Sequence, residues 1–121
     1  MAGLVHRSFD SADETRPFEG DKGRLDLLNG ESGQVGRAVF EPGWRWSEHV
    51  KPIAGTDSCL SAHTGYVVSG AIHVVMDSGE SADIRGGEFV EIAPGHDAWV
   101  LGDEPCVVLD WTGYGDYARP A

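Results

Sequence analysis

Side chains that can bind a metal ion are concentrated in one stretch of the chain, residues 43–70. This stretch contains His49, Cys59 and His63, and a later polar turn adds His96. Imidazole nitrogens and thiolate sulfur are the donor atoms that zinc and other late divalent metals prefer. These residues therefore predict a metal site at one mouth of a barrel, where strand ends and loops bring the side chains together. Cys59 has two interpretations, a metal ligand or a small buried apolar residue.

The other residues with reactive side chains are interpreted more simply. Asp57 is expected to orient an imidazole rather than to bind the ion, and Glu48 is expected to be a solvated acid. His73 alternates with the apolar residues of its strand, so we expect it on the outer face. Cys106 lies inside an apolar run and is interpreted as a core residue. His6 carries no functional argument.

Composition limits the classes of protein that the chain can represent. A chain of 121 residues with 40% hydrophobic and 24% charged residues fits one soluble domain. Its 17 glycines separate short apolar runs, which favours many tight turns and an all-β fold.

Charge and the absence of long apolar runs exclude two classes of partner. The net charge is −11, and the nine basic residues form no cluster, which disfavours nucleic acid. We find no apolar stretch long enough to span a membrane and no secretory signal at the N-terminus. We therefore expect a cytoplasmic protein with two free thiols.

The strands must hold the ligands in place, and their alternation can be followed along the chain. Strands are predicted at residues 24–28, 34–40, 59–69, 72–76, 81–85, 88–92, 98–101 and 106–111. The segment 47–58 contains Pro and Gly without periodicity and is predicted to be a loop. Just before it, Trp44 and Trp46 share one face and are expected to fill the barrel wall.

These strands predict a single antiparallel jelly-roll domain. Residues 1–33 are expected to form an N-terminal arm and the first strand. Residues 34–111 form the barrel core, and residues 112–121 form a tail.

Two motifs in this core resemble those of the cupin superfamily, whose fold is a double-stranded β-helix barrel. The first cupin motif runs G-x5-H-x-H-x3/4-E-x6-G, and Gly43 with His49 matches its opening while Gly70 matches its close. Gly87, Glu88, Ile92, Pro94 and Gly95 trace the second motif. The resemblance covers residues 34–111 and implies the cupin fold.

The chain departs from the cupin pattern at the metal ligands. His63 stands where the family has a glutamate, and Cys59 and Asp57 stand where it has a histidine pair. The histidine of the second motif falls on Ala98, two residues after His96, but the two positions share a face of the strand. The resemblance is to single-domain cupins with a variant ligand set.

The resemblance, taken with these residues, implies a metal site formed by His49, His63 and His96, with Cys59 as an optional fourth ligand. Replacement of the glutamate by an imidazole favours zinc over magnesium or calcium, while iron, nickel and manganese stay open.

Two functions are compatible with such a site. One is a metal-dependent isomerase, lyase or oxygenase that acts on a small organic acid, a carbonyl compound or a sugar-like metabolite. The other is a non-catalytic ligand-binding or sensory module with a structural or effector metal. Small cupins usually pair through open sheet edges, so a homodimer is expected.

Overall fold

A computed structural model describes residues 3–112, 114 and 117–119. Its strands are β1 (Glu14–Pro17), β2 (Gly23–Asn29), β3 (Gln34–Phe40), β4 (His63–Ser69), β5 (Ala71–Met76), β6 (Ser81–Arg85), β7 (Phe89–Ile92), β8 (His96–Leu101) and β9 (Cys106–Asp110). The α-helices are α1 (Trp46–His49) and α2 (Lys51–Ala54), each a single turn. Among the described residues, none of the helices has the length and apolar character needed to cross a membrane.

The strands form two antiparallel sheets around one core. The larger sheet has the order β1-β2-β3-β9-β4-β7, and the smaller one has the order β6-β5-β8. Buried residues from both sheets belong to a single hydrophobic cluster that includes Trp44 and Trp46. The prediction of an all-β jelly-roll fold is confirmed.

Alternation along the strands decides which side chains reach the interior. In β8 the buried residues are His96, Ala98 and Val100, and the residues between them are partly exposed. Strand β9 follows the same period of two, which buries Asp110 on the inner face together with its apolar neighbours. His96 and Asp110 are thereby placed inside the fold by strands whose other buried residues are apolar.

The segment between Trp46 and His63 differs from the prediction. Residues 47–58 were expected to be a loop, yet α1 and α2 occupy most of the first half of this segment. Pro52 lies in the first turn of α2, where its missing N–H is not needed, and Gly55 ends the helix with a φ of 75°. The strand expected to begin at Cys59 begins at His63, because Cys59 forms only an isolated bridge with His96.

The N-terminal arm contributes the edge strand of the larger sheet. Strand β1 pairs with β2, with Arg16 opposite Leu25. The side chain of Arg16 is 8% exposed, and the Glu14 carboxylate accepts a hydrogen bond of 2.6 Å from its Nε. The arm therefore brings a buried cation into the fold.

Gly70, between β4 and β5, occupies a position that no other residue fits. Its φ is 78°, and a Cβ atom there would lie 2.4 Å from the backbone oxygen of Pro105. Gly102 has a similar φ of 81°, but no atom lies within 4 Å of its Cβ position. The two glycines separate the cost of the left-handed backbone from the cost of a steric clash.

We expect Gly70→Ala to destabilise the protein more than Gly102→Ala. Both substitutions incur the left-handed backbone penalty of about 1–2 kcal/mol. Only Gly70→Ala adds overpacking, which costs a further ~1–3 kcal/mol. Free energies of unfolding in urea measure the difference, and equal losses in the two variants would contradict the close backbone approach.

Candidate metal centre

Cys59, His63 and His96 bring three potential ligand atoms together inside the fold. One such atom from each residue lies within 4.8 Å of the other two, and we call these residues the three-ligand cluster. The distance from Cys59 Sγ to His63 Nε2 is 3.8 Å. Two ligands of a tetrahedral zinc ion, at ~2.0 and ~2.3 Å from the metal, lie about 3.5 Å apart. The observed spacing therefore fits a metal ion with little movement.

Backbone hydrogen bonds hold Cys59 beside His96. The N–H of Cys59 donates to the carbonyl of His96 at 2.8 Å, and the carbonyl of Cys59 accepts from the N–H of Gly95 at 2.7 Å. Four residues after Cys59, His63 begins β4 on the same face as the buried Gly65. A loop residue and the first residues of two strands thus meet inside one end of the barrel.

A buried carboxylate fixes the ring of His63. Asp110 is 2% exposed, and its Oδ2 lies 2.6 Å from His63 Nδ1. Its Oδ1 also accepts from the backbone N–H of Thr112 at 2.8 Å and of Thr64 at 3.4 Å. Because the carboxylate accepts from Nδ1, the nitrogen of His63 that stays free is Nε2, the atom facing Cys59.

The ring of His96 is fixed in the same sense by a backbone carbonyl. His96 Nδ1 lies 2.9 Å from the carbonyl oxygen of Ala93, which can only accept. The free nitrogen of this ring is therefore also Nε2. Histidines that bind metals usually donate their other ring N–H to such an acceptor, so both imidazoles are oriented as metal ligands are.

Burial favours the uncharged forms of Cys59 and His96 in the absence of an ion. Desolvation raises the pKa of the Cys59 thiol to about 11 and lowers the pKa of His96, an effect that the nearby His63 reinforces. A divalent cation reverses the first effect, because a thiol that coordinates a metal is deprotonated.

Comparison with known proteins identifies the fold. No model of a known protein family matches the sequence, and no curated protein matches it significantly. Among solved structures, an RmlC-like cupin from Shewanella frigidimarina has a TM-score of 0.58 at 18% identity, covering 93% of this chain and 96% of that chain. A cupin-like protein from Thermotoga maritima has a TM-score of 0.52 at 21% identity, covering 77% and 69%.

The likeness extends to a protein of unknown function from Acinetobacter, with a TM-score of 0.60 at 14% identity and coverage of 83% and 90%. The chain has the cupin fold. At these identities the likeness concerns the fold alone, and the site is defined by this chain's own residues.

Two tyrosines that follow β9 pack against the three-ligand cluster. The rings of Tyr114 and Tyr117 lie 5.3 and 5.4 Å from the ring of His63, and both residues are buried. Nη1 of Arg16 donates to the backbone carbonyls of Tyr114 at 3.0 Å and of Tyr117 at 2.7 Å. The N-terminal edge strand therefore holds the C-terminal segment against the site.

Gly36 of β3 provides the space for one of these rings. A Cβ atom on Gly36 would lie 2.2 Å from Cδ2 of Tyr114. The φ of Gly36 is not in the left-handed region, so the requirement for glycine here comes from the neighbouring ring.

The barrel interior contains a cavity of about 50 Å³ beside the cluster. His63 and His96 form part of its wall, and Tyr114 and Tyr117 form another part. The other described residues of the wall are apolar side chains, two tryptophans and a glycine, and no Lys, Arg, Asp or Glu occurs among these described residues.

The structure brings together three of the four residues predicted as ligands and places His49 elsewhere. His49 ends α1, where its Nδ1 accepts from the backbone N–H of Arg45 at 2.9 Å. Asp57, expected to orient an imidazole, is fully exposed at the surface, 4.0 Å from Lys51. Asp110 takes that orienting position instead.

Asp110 was not predicted as a site residue, because it stands at the end of an apolar run. The alternation of the strand could have indicated its place, because Asp110 lies on the same inner face as Cys106 and Val108. An acid at an inward position needs a buried partner, and His63 is that partner.

We expect both cluster imidazoles of the metal-free protein to carry their proton on Nδ1 at pH 8. The reason is that Asp110 and the Ala93 carbonyl accept from these atoms. Long-range ¹H–¹⁵N correlation spectra distinguish the two tautomers, and His63→Gln and His96→Gln assign the signals. A ring that carries a proton on Nε2 and none on Nδ1 would contradict the orientation described above.

Proposed function

We propose that this cupin binds one divalent metal ion through Cys59, His63 and His96 and acts as a metal-dependent enzyme. Its substrate would be a small organic acid, a carbonyl compound or a sugar-like metabolite. One observation carries the proposal: three ligand atoms converge within 4.8 Å, and two of the three residues line an interior cavity.

The donor set of the cluster fits zinc best. One thiolate and two imidazoles are borderline to soft donors, and both imidazoles are already oriented by acceptors on Nδ1. Magnesium and calcium prefer oxygen ligands, and the cluster has none among the described residues. The same fact disfavours a ferrous oxygenase, whose iron is held by two histidines and one carboxylate.

Three protein ligands support a catalytic rather than a closed structural site. Cys59, His63 and His96 would hold the zinc ion, which would supply Lewis-acid chemistry to a substrate oxygen. The protein's own contribution is to hold His63 through Asp110 and to exclude water with the rings of Tyr114 and Tyr117. Exclusion of water strengthens every electrostatic interaction in such a site.

A second function, a non-catalytic ligand-binding or sensory module, is favoured by the small size of the cavity. The interior volume is about 50 Å³, and the tyrosines close it on one side. Cobalt(II)-substituted protein separates the two functions. A change of its visible spectrum on addition of azide supports an exchangeable position and hence an enzyme, whereas an unchanged spectrum supports the module.

The metal site is tested by the metal content of purified protein. We expect about one zinc per chain in the wild type after equilibration with zinc and dialysis, as three protein ligands imply. His63→Ala and His96→Ala should lose this metal because each removes one of only three ligands. Mass spectrometry of the metal in solution gives the stoichiometry.

His73→Ala is the matched control, because His73 also bonds to a carboxylate through Nδ1, at 2.6 Å from Asp83, but lies outside the cluster. This variant should keep its metal. His49→Ala asks whether the fourth predicted ligand takes part, and we expect full metal content. A wild type that retains no metal would overturn the proposal.

We also propose that the protein is a homodimer. Tyr66, Val68 and Phe89 are 40%, 48% and 60% exposed, and Tyr66 pairs with Phe89 at the edge of the larger sheet. Light scattering should give twice the chain mass of 13.0 kDa, and Phe89→Asp should halve the mass. A wild-type monomer at micromolar concentration would refute the dimer.

A further inference from the structure

One buried hydrogen-bond donor in the barrel has no acceptor. Trp44 is 2% exposed, and its indole Nε1 has no partner in the described part of the chain. An indole nitrogen can only donate, and a buried donor without an acceptor is unfavourable. Buried tryptophans usually form a hydrogen bond through this N–H group, and Trp44 forms none within the described part of the chain.

The position of Trp44 suggests what the missing acceptor is. Trp44 lines the same cavity as His63 and His96, and its ring is held by packing against Phe40 and Phe18, with centroids at 4.2 and 5.9 Å. The indole ring of Trp44 is therefore rigid and borders the space next to the three-ligand cluster. A molecule that enters this space can supply the acceptor.

The cavity wall limits the chemistry of that molecule. The described residues of the wall include no Lys, Arg, Asp or Glu. Burial raises the pKa of Tyr114 and Tyr117 well above the usual value, so both phenols are neutral. Most of the wall is aliphatic. A ligand with many hydroxyl groups would leave several of them unpaired against apolar side chains.

The cavity volume limits the size of the molecule. One water-sized group needs roughly 10–15 Å³ of such a volume, so about 50 Å³ holds only a few groups of this size. This corresponds to a compound with two or three carbon atoms.

We propose that the barrel binds a two- or three-carbon carboxylate or carbonyl compound whose oxygen accepts a hydrogen bond from Trp44 Nε1. This inference narrows the substrate class of the proposed function and rests on it for the metal, whereas the indole donor does not depend on a metal. It favours organic acids and carbonyl compounds over sugar-like metabolites. Trp44 thereby becomes a ligand-binding residue of this cupin.

The experiment follows the indole N–H signals of ¹⁵N-labelled protein, both zinc-loaded and metal-free. The chain has four tryptophans, and Trp44→Phe assigns the signal of Trp44. Acetate, acetone and glycerol are titrated separately. We expect acetate or acetone to shift the Trp44 signal downfield in a saturable way, and glycerol to leave it unchanged. The first two probes distinguish a carboxylate from a carbonyl ligand.

Variants measure how much the hydrogen bond contributes. Trp44→Phe keeps an aromatic ring but removes the donor, so the Kd of the bound probe should rise about tenfold, the effect of one hydrogen bond. Trp46→Phe is the matched control, since Trp46 is equally buried and lines the same cavity. Its Kd should stay close to that of the wild type, and both variants should keep their zinc.

The outcomes separate this inference from the proposed function. A Trp44 signal that responds to neither acetate nor acetone in either form of the protein overturns the inference. An unchanged Kd in Trp44→Phe also overturns it. If Trp44→Phe does not fold, the response of the wild-type signal decides. If the wild type retains no zinc after equilibration and dialysis but its Trp44 signal still responds to acetate or acetone, the metal proposal is refuted and the ligand class is supported.

Discussion

The contact between His63 and Asp110 is the constraint on which the arrangement of the site depends. A buried carboxylate is costly unless its oxygens are hydrogen-bonded, and Asp110 accepts from the His63 ring and from two backbone N–H groups. These donors belong to the start of β4 and to the residues just beyond β9. One carboxylate therefore joins two neighbouring strands, orients an imidazole and accepts a hydrogen bond from the backbone N–H of Thr112.

Two residues that follow β9 form part of the wall of the barrel interior. Tyr114 and Tyr117 pack on His63, and Arg16 from the opposite end of the chain holds their carbonyls. The residues that cover the cluster thus come from both termini, while the ligands come from the middle. The described residues around the interior space are largely apolar, and the two oriented imidazoles are among them.

The sequence predicted the features that depend on local pattern. Alternation identified most strands, and it placed His96 on the inner face together with Ala98. The cupin resemblance gave the fold. The order of contacts inside the barrel could not be predicted, because the pairing of β4 with β9 joins segments far apart in the chain. Asp110 and His49 illustrate this limit. Asp110, an acid in an apolar run, forms a hydrogen bond with the ring of His63. His49, which matches the opening of the first cupin motif, ends the helical turn α1.

The fit between Gly36 and Tyr114 has a consequence for the evolution of the fold. The ring edge of Tyr114 occupies the space that a side chain at position 36 would need. Neither residue can therefore be replaced freely while the other is retained. A homologue with a larger side chain at position 36 should have lost the aromatic residue at position 114, and its barrel would then be open at that end. Covariation of these two positions would therefore divide such proteins into forms with sealed and with accessible interiors.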